Sequence, residues 1–138
     1  MRRLIAFICA FLSAPGCFAI ESADAFASAL RAYEAERYEI AVTLMESVIA
    51  TNPECARCAH ILGRSYGRLA EQAKWTDAIG LAKKTRLALE QAVELDPEDA
   101  DAVRDLIKYY RSAPGFLGGS DKKADALEQR LRESGHTS

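Results

Sequence analysis

Residues 54–72 read ECARCAHILGRSYGRLAEQ, and residues 92–97 read AVELDP. The first stretch decides the fold. Ala59, Leu62, Gly63, Tyr66 and Ala70 recur at helical spacing, so one face is apolar. A glycine inside a helix costs about 1 kcal/mol relative to alanine. Beside Leu62 on a packing face, Gly63 is therefore read as a place where another helix comes close. The second stretch ends a helix, because proline disfavours helical geometry in the residue before it.

Working outward, no part of the chain after residue 20 alternates polar and apolar residues for long. Six helices are predicted, spanning 22–36, 38–51, 54–72, 76–95, 98–112 and 120–133. Their inward residues include Phe26, Leu30 and Tyr33, then Ala41, Met45 and Val48, then Leu81, Thr85, Leu89 and Ala92. Val103, Leu106, Ile107 and Tyr110 follow, and finally Ala124, Leu127 and Leu131. Asn52-Pro53 closes one pair of helices. Asp96-Pro97 closes the next, with Asp96 expected to cap the fifth helix and Pro97 at its first position. Ser120 is expected to cap the last. Residues 134–138 read as a frayed tail. The loop 113–119 carries Phe116-Leu117, expected to tuck back onto the helices. Trp75, at a turn, is expected to plug a packing gap.

The chain has 138 residues, with 18 Lys+Arg, 20 Asp+Glu and a formal net charge of -2. That length bounds it to one domain. A near-neutral balance argues against a nucleic-acid partner, which requires a surplus of cations. No glycine-rich phosphate cradle occurs, and no cofactor or metal site is expected. No spacing of nucleophile, base and orienting acid suggests an enzyme.

Residues 1–19 read MRRLIAFICAFLSAPGCFA. Arg2-Arg3, an apolar run from Leu4 to Leu12, and small residues before Ile20 are the pattern of a secretory signal peptide cut after Ala19. The run is too short to span a bilayer, which takes about 20 residues, and no other apolar run is present. A periplasmic or secreted protein without a transmembrane helix is expected. Cys17 sits in a weak lipoprotein-like box, but Pro15 inside it and the missing leucine argue against lipidation.

The order of these signals resembles the tetratricopeptide repeat family. Tyr38, Ala41 and Asn52-Pro53 match one unit; Leu62-Gly63, Tyr66, Ala92 and Asp96-Pro97 match a second; Tyr110 and Ala124 match a third. The first unit lacks the Leu-Gly pair, and the second is longer than the usual period of about 34 residues. The resemblance implies an all-α fold, a short α-solenoid of three helix-turn-helix hairpins over residues 20–134. It also implies a protein–protein interaction module whose first helices line a concave side. One hairpin cannot bury its own apolar face, and three units are near the minimum, so self-association is also expected as an option.

Two patterns suggest sites. Cys55 and Cys58 can close a small disulfide in an oxidising compartment. At a helix start the same pair could act as a thiol–disulfide redox centre or sensor, or remain as free thiols or metal ligands; haem attachment fails because position 59 is Ala. The second pattern is charge. Arg57, His60, Arg64 and Arg68 share one helix face, and Arg104, Lys108 and Arg111 share another. If first helices line up, these rows meet in one groove with Tyr33 at one end. Such a groove suits an acidic or carboxylate-bearing segment of a protein partner, since the guanidinium fork grips carboxylates in pairs. The alternatives are solvated faces paired with nearby acids, or a structural subunit of an envelope complex.

Overall fold

The computed structural model describes the backbone of residues 16–135 and the side chains of residues 23–135. The expected signal peptide falls mostly on residues 1–15, and the expected tail mostly on 136–138; both stretches lie outside the described residues. The described chain is all-helical: α1 (Gly16–Glu34), α2 (Tyr38–Thr51), α3 (Ala56–Gln72), α4 (Trp75–Leu95), α5 (Ala100–Ser112) and α6 (Asp121–Glu133). A single 3-10 turn, Gly115–Leu117, interrupts the loop before α6. Among the described residues no strand occurs, and no helix is long and apolar enough to cross a membrane.

Each helix packs on the next in sequence, and α1 also touches α3. The α3–α4 pair is the most extensive contact, and small residues make it so. A Cβ on Gly63 would lie 2.9 Å from the Leu89 side chain, and one on Gly67 would lie 3.5 Å from Thr85 Cγ2. One turn forward on α3 thus meets one turn backward on α4, so the two helices run antiparallel. Met45, Val48, Cys58, Leu62, Tyr66 and Ala88 form one apolar cluster across α2, α3 and α4. Leu89, Val93, Val103, Leu106, Tyr110 and Ala124 form a second across α4, α5 and α6. Ala59 of α3 joins the second cluster and so links the two.

The helix ends follow local chemistry, with some corrections to the sequence reading. Glu36 ends α1 in the left-handed region at φ 58°, and Arg37 N–H closes back on Ala32 O at 2.9 Å, as in a Schellman stop. Asp96 does not cap α5; its carboxylate accepts from Glu98 N, making a local turn. The cap is Asp99, which accepts from Asp101 N and Ala102 N. Proline at 97 forces the turn first, and the helix starts only after it. Ser120 caps α6 as expected, accepting from Lys123 N. Trp75 is no plug: it opens α4 and is 71% exposed. The Phe116-Leu117 pair splits, with Leu117 buried and Phe116 64% exposed. Tyr109 O–H donates to Leu117 O at 2.9 Å, which pins the loop by its backbone and leaves the phenyl ring outside.

Candidate functional site

Two adjoining cavities lie where α1, α3 and α5 come to the surface together. The first, about 240 Å³, is bordered by Tyr33, Arg64, Arg68, Asp105 and Lys108, with Gly63, Gly67, Thr85 and Leu89 beneath. The two glycines leave room for it, because any larger side chain there would press on α4 or fill the space. The second, about 440 Å³, is bordered by Phe26, Arg57, His60, Ile61, Arg64 and Arg104, with Asp99, Asp101 and Asp105. Arg64 and Asp105 border both.

Most of the expected residues are thereby brought together. Tyr33 lies under Arg64, whose guanidinium carbon is 4.8 Å from the ring centroid. Arg57 covers Phe26 at 5.1 Å in the same way. Such stacking contributes about 0.5–1 kcal/mol at exposed sites and fixes where both guanidinium planes stand. Arg68 pairs with Glu71 at 3.0 Å. Glu71 first, and the Tyr33 phenol after it, hold Arg68 more firmly protonated than an isolated arginine.

Arg111 is the exception. It turns away from both cavities and binds α6, reaching Asp125 at 2.8 Å and Glu128 at 2.9 Å, with Asp121 at 3.7 Å. One step of three residues along α5 from Lys108 was enough to rotate it toward the neighbouring helix. Its role is to tie α5 to α6.

Acids temper the cationic rows. His60 is buried, at 7% exposure, and its Nε2 donates to Asp105 Oδ2 at 2.7 Å. Arg64 Nε stands 3.7 Å from the same oxygen. The hydrogen bond from His60 holds the Asp105 carboxyl below the usual carboxylate range, outweighing its partial burial, and Arg64 and Lys108 act in the same direction. Arg104 pairs with Asp101 at 3.1 Å. The surface is therefore of mixed charge, with Lys108 and Arg57 lacking a carboxylate within 4.0 Å among the described residues. Asp101 and Asp105 stand one helical turn apart on α5, as do Arg104 and Lys108, so the acids interleave with the cations, as the alternative of faces paired with nearby acids expects.

Cys55 and Cys58 are joined by a disulfide, with Cα atoms 5.2 Å apart. Cys55 is the N-cap of α3, its sulfur accepting from Cys58 N at 3.2 Å. Cys58 is 1% exposed within the α2–α3–α4 core. Arg57, between them, reaches the second cavity. Among the described residues no group of three or more His, Cys, Asp or Glu side chains is placed to hold a metal ion. No protein-family model matches the chain, and no curated protein matches it.

Proposed function

We propose that the chain is an exported interaction module of the tetratricopeptide type, three helical hairpins in a short solenoid, which holds a segment of a partner protein on its α1–α3–α5 face. The observation that carries this reading is the pair of adjoining cavities sharing Arg64 and Asp105. We read the two, which share these bordering residues, as one trough with aromatic walls at Tyr33 and Phe26 and guanidinium groups already fixed by stacking. Fixed guanidinium groups lose little further freedom on binding, which favours capture.

A partner segment with acidic side chains or a terminal carboxylate suits the trough. Lys108 would take one carboxylate directly. A second would compete with Asp105 for Arg64, whose 3.7 Å contact is loose. His60 would keep Asp105 in place, so the trough would not collapse when Arg64 is taken. Capture needs no covalent step.

The test is calorimetric titration with a panel of octapeptides ending in acidic residues and a free carboxylate, against neutral amidated counterparts. Binding of members of the acidic set, lost in the Arg64→Glu/Lys108→Glu variant while its thermal melt is retained, is the expected result. Equal binding of both sets, or no loss in the variant, would contradict the reading.

A further inference from the structure

We infer that the Cys55–Cys58 pair is a thiol–disulfide exchange centre, with Cys55 as the sulfur that outside thiols reach. The inference stands on the placement of the two sulfurs and is independent of partner capture. Cys55 is partly exposed at the head of α3, whereas Cys58 is sealed at 1% exposure. An incoming thiolate therefore has one sulfur to attack. Two features of the site also suit Cys55 as a thiolate once the bond opens. It is the N-cap of a 17-residue helix, where the backbone dipole favours negative charge. The Cys58 N–H already points at its sulfur at 3.2 Å.

The co-reactant is a dithiol. Its first thiolate attacks the Cys55 sulfur, forming a mixed disulfide there and breaking the bond to Cys58, which leaves as a thiolate and takes up a proton. The second thiol of the reagent, losing its proton, attacks its own sulfur in the mixed disulfide. That closes the reagent's disulfide and releases Cys55 as the thiolate held at the helix head. The protein pair gains two electrons and the reagent loses two. Run in reverse, the Cys55 thiolate attacks a disulfide on another molecule. Because Cys58 packs in the core as a small apolar residue in either state, the helices need not move.

The experiment uses the full chain carrying Cys9→Ser and Cys17→Ser, so that only this pair reports. Three measurements are made: reduction by millimolar dithiothreitol followed by far-ultraviolet circular dichroism, and, in Cys58→Ala and Cys55→Ala derivatives, the pH profile of iodoacetamide alkylation. The inference expects reduction without loss of helix. It also expects Cys55 to be alkylated in the folded protein with a midpoint below the free-cysteine value of about 8.5, at least tenfold faster than Cys58 at pH 7. A bond that yields only when the helices unfold overturns it. So does a Cys55 that titrates at or above the free value, or a Cys58 that reacts as fast.

Discussion

The phenol of Tyr110 donates to Glu90 Oε1 at 2.6 Å. Tyr66 donates to Glu46 across the same sequence interval of 20 residues. In each case a lysine from the following helix covers the ring, Lys84 over Tyr66 and Lys123 over Tyr110. A tyrosine of one helix is thus tied to a glutamate of the helix before it and capped by a lysine of the helix after it, twice along the chain. Arg86 adds a second bond to Glu90 at 3.0 Å, so the second node is the better anchored.

Tyr110→Phe and Tyr66→Phe keep the ring packing and remove only the phenol. Hydrogen bonds to charged partners contribute about 1.5–3 kcal/mol; with both glutamates reaching solvent, a loss of about 1 kcal/mol is expected at each site. The sites share no partner, so the double variant should add the two losses. Urea unfolding of the four proteins checks this.

The same two phenols predict an alkaline limb. Burial first, and then the hydrogen bond to Glu46 or Glu90, pushes both tyrosines far above their ordinary value. The unfolded chain ionises them near pH 10 while the folded chain keeps them neutral. Their stabilisation is therefore full below pH 10 and falls as pH rises above it. Urea midpoints measured from pH 8 to 11.5 should drop at the upper end, and less steeply in the double Phe variant.

Asp105 predicts the acid limb with the opposite sign. Its folded value lies below the unfolded value of about 3.9. Its contribution is present above pH 4 and is lost as pH falls through the lower folded value. Asp105→Asn should weaken the protein at pH 7 and shallow the decline below pH 4, read from the same urea midpoints.

Glycine substitutions separate packing from propensity. Gly63→Ala drives a methyl to 2.9 Å from Leu89 and 3.2 Å from its backbone nitrogen, and should cost about 1–3 kcal/mol. Gly80 lies within α4 and meets nothing within 4 Å, so Gly80→Ala should stabilise by up to about 1 kcal/mol. Thermal melts of the two variants, moving in opposite directions, check the α3–α4 approach.

Much of this was legible because helix boundaries are written in local chemistry. Asn52-Pro53 and Ser120 act within a few residues of themselves, and α2 begins and ends where the pattern placed it. The close approach at Gly63 was legible too, since a glycine on an apolar helical face has few other uses. The α5 cap was missed because Asp96 and Asp99 are both competent, and which one acts depends on the turn that Pro97 makes. His60 could not be read as buried, since its cover and its partner Asp105 come from a helix 45 residues away. Arg111 was misplaced for the same reason: its partners lie on α6, and periodicity along α5 says nothing about them.

The most direct test of the α1–α3–α5 face is site-specific photocrosslinking in the native cells. A photoreactive side chain at Ser112, bordering the first cavity, is compared with one at Lys83, exposed on α4 and bordering neither cavity. A discrete adduct at Ser112 that disappears with Arg64→Glu, and none at Lys83, is the predicted result. Adducts at Lys83 without any at Ser112, or a Ser112 adduct indifferent to Arg64→Glu, would place the partner elsewhere and contradict the account.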